Sequence, residues 1–262
     1  MKKYLIPFLI LTSMSLFAQE KLIVEYESRI EFDVNKGFVM TTTTDGGSSN
    51  TKIGANKEME DKLKEAMNKP SYYNLILTPD ESEFKIVEKV TNDQPSEGGM
   101  QIKISSGGGT TYKNLKEKIS LKAVSSFNQD FLISDSLQNY DWKITRESKE
   151  ILGYEVRKAE AIADSITNII AWYAPKLTYK DGPDVYSGLP GLIMEIEINS
   201  DSQQKGKRKI SYKAISLNVI NDKKGIERPK KGKKLTQDEF TKWNKEQMEK
   251  MKEMYGGGVD KD

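Results

Sequence analysis

Histidine and cysteine are both absent from the 262 residues of this chain. The protein therefore lacks the usual general base near neutral pH, a thiolate nucleophile and the two preferred ligands of zinc. The sequence also contains no phosphate-binding P-loop, nucleophile elbow or EF-hand calcium loop. We expect a protein that is not an enzyme and that holds no cofactor or metal; a hydrolase based on lysine, serine or carboxylates is the alternative.

An excess of charge of one sign is missing as well. The chain has 41 Lys and Arg against 39 Asp and Glu, and loss of Lys2 and Lys3 with a leader would leave 39 of each. Nucleic-acid-binding domains normally carry a basic surplus. We therefore expect no nucleic acid among the partners.

The one long apolar run lies at the N-terminus. It extends from Tyr4 to Phe17 after two lysines, and it is shorter than the roughly 20 residues that cross a bilayer. This pattern predicts a signal peptide over residues 1–18, cleaved between Ala18 and Gln19. Because no cysteine is available for lipidation, we expect a periplasmic or secreted protein that is neither a lipoprotein nor membrane-spanning.

Alternating apolar and polar side chains predict half-buried strands at Leu22 to Phe32, Leu115 to Leu121 and Leu192 to Ile198. Such strands belong to antiparallel sheets with one face in water. A reversal of parity predicts a β-bulge near Ala214 to Ser216. Shorter strands are expected at 72–77, 83–90, 130–133, 142–146, 154–163 and 167–173, the last two as a hairpin. The predicted fold class is mainly β (α+β), a single curved antiparallel sheet or half-open barrel over residues 19–235.

Two segments depart from the strand pattern. Residues 41–54 are rich in Thr, Gly and Ser and predict a flexible connection, followed by a short helix near 56–69. Thr236 and Glu239 form a capping box that begins a helix near 237–255. We expect residues 236–262 to form this amphipathic helix and a glycine-rich tail, packed on or beside the sheet. Its methionine and aromatic stripe also suits a partner groove.

Residues 186–193 combine two glycines and a proline ahead of a predicted strand. Gly188 and Gly191 free the backbone, and Pro190 lacks an N–H, so it should lie at a strand start or edge. The stretch predicts a tight turn that leads into the strand, with Leu189 held as a plug.

This stretch resembles the GLPGLI family of Gram-negative envelope proteins. Its hexapeptide stands intact as Gly188-Leu189-Pro190-Gly191-Leu192-Ile193. Further matching features are Trp142-Lys143-Ile144, Lys149 to Tyr154, Ala171-Trp172-Tyr173 and Gly182-Pro183. The resemblance spans most of the mature chain. Val156 departs from it, since many relatives carry cysteine there, and a redox or metal role for that thiol has no basis here.

The resemblance implies an envelope protein, and family members are frequently encoded near outer-membrane receptors of the TonB-dependent type. We therefore expect a non-enzymatic periplasmic protein that binds a hydrophobic ligand or a protein partner, such as an outer-membrane receptor. The candidate contact residues are Trp172, Tyr173, Tyr186 and the six residues of the hexapeptide. The strand pattern is also similar to the half-open barrels of periplasmic lipoprotein carriers, by fold analogy.

The alternative is a structural envelope component without a ligand site. Tryptophan and tyrosine side chains suit a core with one wet edge as well as they suit a groove. The basic run from Lys223 to Lys234 is likewise open to two interpretations, a solvated linker or a contact with an anionic membrane surface.

Overall fold

The computed structural model describes residues 20–32, 39–44, 47–52, 57, 69–87, 109–203, 206–222 and 224–256. These residues form an open, curved 12-stranded sheet, a separate two-stranded hairpin and a C-terminal helix. The strands are β1 (Glu20–Phe32), β2 (Val39–Thr44), β3 (Gly47–Lys52), β4 (Ser71–Leu77), β5 (Glu81–Val87), β6 (Thr110–Asn114), β7 (Ile119–Ser126), β8 (Gln129–Ser136), β9 (Lys143–Ile151), β10 (Tyr154–Asp164), β11 (Thr167–Ala174), β12 (Leu192–Ser202), β13 (Gly206–Asn221) and β14 (Lys233–Leu235), and the helix is α1 (Gln237–Gly256).

The large sheet has the order β14-β8-β7-β6-β5-β4-β1-β13-β12-β11-β10-β9. Neighbouring strands are antiparallel except for β14, which pairs with β8 in parallel. The predicted mainly β fold with a curved sheet is therefore confirmed. So are the β10–β11 hairpin and the bulge at 214–216, where Ala214 and Ser216 face consecutive residues of β1 and leave Ile215 as the extra residue.

Two details differ from the sequence-based predictions, and a third prediction is not tested by the described residues. Residues 115–118 form the turn between β6 and β7 and do not continue a strand, because Lys118 has φ +56° and the Asn114 side chain accepts the Glu117 N–H. Residues 39–44 and 47–52 pair as a hairpin, consistent with the strand preference of threonine. The helix predicted near 56–69 falls almost entirely outside the described residues.

A short connection shows why the sheet must curve. The β8–β9 connection, residues 137–142, joins the second strand of the order to the last. A flat sheet would separate these strands by about 48 Å at the usual strand spacing, whereas seven peptide steps span at most about 25 Å. The sheet therefore bends until its two ends approach each other.

The concave side of the sheet, called the inner face below, holds the hydrophobic core. Cross-strand partners such as Val24, Leu75 and Phe84 share this face, and they are 0%, 0% and 3% exposed. Tyr73 stacks on Phe84 with ring centroids 4.9 Å apart. Burial of this apolar surface supplies the main driving force for the fold.

Helix α1 begins with the predicted capping box. The Glu239 N–H donates to Thr236 Oγ1 at 3.2 Å, and the Thr236 N–H donates to Glu239 Oε2 at 2.8 Å. The Thr236 N–H and hydroxyl both donate to the Glu239 carboxylate, and these two bonds lower its pKa. Phe240 and Trp243 pack on Phe131 of β8, with centroid distances of 5.2 and 4.4 Å. The first turns of α1 thus pack on the sheet, as predicted.

Within the described part of the chain, no helix combines the length and the apolar character that crossing a membrane requires.

Candidate functional site

The sheet forks where the hexapeptide enters it. Strands β12 and β13 pair only from Glu195 and Lys213 onward. Ahead of that point, the Leu192 N–H donates to the Leu177 carbonyl at 3.1 Å, and the Ile193 N–H donates to the Asp181 carbonyl at 2.9 Å. The β11–β12 connection therefore replaces β13 beside the start of β12. We call this connection, residues 175–191, the plug segment.

The hexapeptide makes the turn that the fork requires. Gly188 has φ +95°, which favours glycine. A Cβ on Gly191 would lie 2.2 Å from the Ala174 carbonyl oxygen. Leu189 between them is 1% exposed, and β12 begins directly after Gly191. The predicted turn and the predicted burial of Leu189 are both confirmed.

A buried ion pair holds the plug segment against β6. Lys113 Nζ lies 2.5 Å from Asp181 Oδ1, and both side chains are fully buried. The same ammonium donates to the carbonyls of Gly182 at 2.7 Å and Tyr186 at 3.2 Å. Asp181 Oδ2 and the Oγ of Ser82, the cross-strand partner of Lys113, are buried without a hydrogen-bond partner among the described residues. The lysine is thus a structural anchor that uses all three of its protons.

A second anchor fixes the plug segment farther along the sheet. Asp184 accepts hydrogen bonds from Thr111 Oγ1 at 2.7 Å and from Lys122 Nζ at 3.1 Å. Thr111 and Lys122 are cross-strand partners on β6 and β7. The plug segment therefore reaches from β12 to β7 and covers the strands between them. Sequence reasoning missed these anchors, because Lys113, Lys122 and both aspartates look like ordinary solvated charges.

Aromatic side chains of the β8–β9 connection also contact the plug segment. Tyr186 of the plug segment stacks on Tyr140 of the β8–β9 connection, with centroids 5.5 Å apart. Trp142 donates its indole N–H to the Ser187 carbonyl at 3.0 Å. Burial raises the pKa of both Tyr140 and Tyr186. The short connection that bends the sheet thus also packs on the plug segment.

The predicted contact residues do not line one groove. Tyr173 faces the core at 2% exposure, whereas its neighbour Trp172 is half-buried on the opposite face, beneath the Lys149 ammonium at 4.2 Å. Lys149 also lies 2.6 Å from Glu195. Of the aromatic candidates, Tyr186 alone lies in the plug segment with the hexapeptide. Residues Ala18 and Gln19 of the predicted cleavage site lie outside the described residues.

No group of three or more acidic side chains in the described ranges is arranged to hold a metal ion. A depression of about 600 Å³ lies at the far ends of β11–β13, away from the hexapeptide, and is lined by Glu31, Ile166, Asn168, Asn199, Ser200, Asp201, Lys207, Arg208 and Lys209. Eight of these nine lining residues are polar or charged, and charges of both signs are present. In the basic run, Lys224 and Arg228 pair with Glu227 and Glu117.

Solved structures that are similar to this chain include two of PNGF-II. A PNGF-II structure in space group P21 has 17% identity and a TM-score of 0.50, covering 85% of this chain and 32% of its own. A PNGF-II structure in space group C2 has 18% identity, the same coverage and a TM-score of 0.49. The match to a LolA superfamily protein from Nitrosomonas europaea covers 77% of this chain and 86% of that protein, at 10% identity and a TM-score of 0.27.

This chain spans about a third of the length of the PNGF-II chains it matches. No curated protein matches it. The model of the "N-glycanase peptide, N-terminal domain" family matches residues 100–231, which is 132 of the 262 residues. These residues include the β6–β13 strands, the plug segment and the hexapeptide. The chain therefore belongs to the N-glycanase peptide N-terminal domain family.

Proposed function

We propose that the chain is a non-catalytic module of the bacterial cell envelope that binds a partner protein. The observation behind this proposal is that the chain's own plug segment occupies the inner face. Ligand sites are concave and mostly apolar. On the concave face of this sheet, Leu189 of the plug segment is 1% exposed and Asp181 of the same segment is ion-paired with Lys113. The outer surface and the strand edges are then left for binding, and they suit a protein better than a lipid.

Family membership supports a binding role. The matching family is named for an N-terminal domain, and the similar PNGF-II chains are about three times as long as the region they share with this chain. A domain that accompanies larger proteins fits a module that positions or recruits another protein. We propose no N-glycanase activity for this chain.

The envelope location and the GLPGLI assignment form part of the same proposal. Strand β1 begins at Glu20, so cleavage between Ala18 and Gln19 would leave every described strand intact. The hexapeptide occupies the turn at the fork, which gives each of its glycines a structural task. An outer-membrane receptor of the TonB-dependent type is the partner that the resemblance favours.

Crosslinking in cells tests the partner. A photoreactive amino acid at exposed positions should capture an outer-membrane protein in the native host. Recovery of no such protein from any of these positions would remove the proposal.

Native mass spectrometry tests the competing hydrophobic ligand. After incubation with vesicles of bacterial phospholipid and lipopolysaccharide, we expect the mass of the unliganded chain. A stoichiometric lipid adduct would instead favour a carrier in which the plug segment moves aside.

A structural component without a binding site is the second candidate, and the burial of Leu189, Leu192 and Ile193 favours it. Replacing Leu189 by alanine should cost about 2–5 kcal/mol in the free energy of unfolding, with the exposed Leu152→Ala as control. Both candidates predict this loss. The two candidates differ in what they predict for substitutions at exposed positions. A binding module can lose crosslinking to its partner through such a substitution while its melting temperature stays unchanged. A structural component has no such partner to lose.

A further inference from the structure

Strand β13 has an edge that is open over half its length. Residues 208–213 lie between β1 and β12, whereas residues 214–221 pair with β1 alone. No other backbone group among the described residues bonds to this second half. Alternate residues of an antiparallel strand direct their N–H and C=O groups to opposite sides. Half of these groups therefore point out of the fork with no partner from the described chain.

The open edge lacks the charges and the short length that protect the two ends of the sheet. Natural sheets shield their edges with charges, bulges or short length. The end strand β9 carries five charged residues in nine, and the other end strand, β14, has three residues of which two are lysines. Residues 214–221 read Ala-Ile-Ser-Leu-Asn-Val-Ile-Asn and hold no charge and no proline.

Three apolar side chains along this same edge are exposed. Val219 is 66% exposed, and Ile215 and Ile220 are each 36% exposed. In contrast, Leu22 on β1, directly opposite Val219, is 4% exposed. Val219 and Ile220 point to opposite faces of the sheet, so both faces of the edge present apolar surface to water. Added strands gain affinity from backbone hydrogen bonds and specificity from alternate side chains. The open half of β13 offers both unpaired backbone groups and exposed side chains.

We propose that residues 214–221 of β13 bind an extended, uncharged segment of the partner protein by β-strand addition. This inference rests on the proposed partner-binding function and names its surface. The uncharged edge selects an uncharged segment rich in β-branched residues, because residues 214–221 offer no charged side chain to pair with one on the added strand.

The bulge favours a free segment over a second copy of this chain. In a symmetric pair of copies, the bulge at Ile215 of each copy would interrupt the ladder and leave only residues 216–219 regular. A free segment meets one bulge and keeps residues 216–221 regular. The longer ladder offers more backbone hydrogen bonds.

The test uses a defined peptide. An end-capped peptide of alternating threonine and valine, with lysines at both ends for solubility, is labelled with a fluorophore and titrated with the purified chain. A second peptide of the same sequence carries N-methyl groups on alternate amides of both its edges, so that neither edge keeps a full set of N–H donors. We expect the first to bind and the second to bind at least about tenfold more weakly, since edge pairing depends on backbone donors.

Matched protein variants localise the binding. Val219→Lys should weaken peptide binding by about tenfold, as lysine protects natural edges, and should leave the melting temperature unchanged because Val219 is exposed. Leu152→Lys is the control, since Leu152 is 45% exposed in the turn between β9 and β10 and belongs to no strand edge. Asn218→Lys provides a second edge variant if Val219→Lys does not fold.

Three results would overturn the inference: equal binding of the N-methylated peptide, equal binding by the edge variants, or no binding at millimolar peptide. A wild-type dimer in sedimentation that Val219→Lys dissociates would instead assign the edge to a second copy. Capture of an outer-membrane protein from other surface positions, with no binding at this edge, would refute the inference and leave the proposed function standing.

Discussion

Removal of the Lys113 ammonium is the most informative single perturbation of the plug segment. Lys113→Met leaves the Asp181 carboxylate buried without its cation, and the Gly182 and Tyr186 carbonyls lose their donor. Breaking one partner of a buried ion pair costs about 3–5 kcal/mol. For a domain of this size, that loss lowers the melting temperature by about 6–20 °C. The two stranded carbonyls place the expected cost toward the upper end.

Urea unfolding followed by tryptophan fluorescence measures this cost, because Trp142 packs beside the plug segment. Lys85→Met is the matched control on the neighbouring strand β5, where the lysine is 43% exposed beside Glu83 and such pairs contribute about 0–1 kcal/mol. The double variant Lys113→Met/Asp181→Leu should be more stable than Lys113→Met alone, since no charge stays buried. A single variant as stable as the wild type, or a double variant with the sum of both losses, would refute the role of this anchor.

Two further predictions concern the turn and the aromatic contact. Gly191→Ala should destabilise the protein by about 1–3 kcal/mol, and by more than Gly188→Ala does. A new Cβ at Gly191 meets a backbone carbonyl, whereas a Cβ at Gly188 has its nearest neighbour at 3.7 Å. Equal losses of the two variants in thermal melts would contradict the packing described at the fork. Burial raises the pKa of Tyr140 and Tyr186, so these phenols lose their protons at a lower pH in the unfolded chain than in the folded one. The two buried phenols therefore stabilise the fold fully below about pH 10, and this stabilisation is lost as the pH rises above that value. Melting temperatures between pH 9 and 11.5 should fall less steeply for Tyr186→Phe than for the wild type, and parallel curves would argue against a buried phenol.

The sequence predicts the strands and the turn well, since their signals are local. Alternation locates β1 and β12, and the reversed parity at Ala214 to Ser216 locates the bulge beside the fork. The run from Leu115 to Leu121 misled because its alternation continues through a turn whose left-handed Lys118 has no local signature.

The site itself depends on contacts between distant parts of the chain. Lys113 and Asp181 meet only because β6 and the plug segment share the inner face, and that relation requires the strand order. Trp172 and Tyr173 are adjacent in sequence but lie on opposite faces of β11, so an aromatic group that looks continuous in the sequence is divided in the fold. The open edge of β13 is likewise visible only when the register of β12 is known.

Hydrogen–deuterium exchange tests most directly the central claim that the plug segment is a fixed part of the inner face. The amides of Leu192 and Ile193 donate to carbonyls of the plug segment at 3.1 and 2.9 Å, and the Gly188 amide donates to the Lys180 carbonyl at 3.1 Å. We expect peptides covering residues 181–193 to exchange as slowly as those from β1. Complete exchange of these peptides within seconds, while β1 stays protected, would contradict the claim and return the concave face to a ligand.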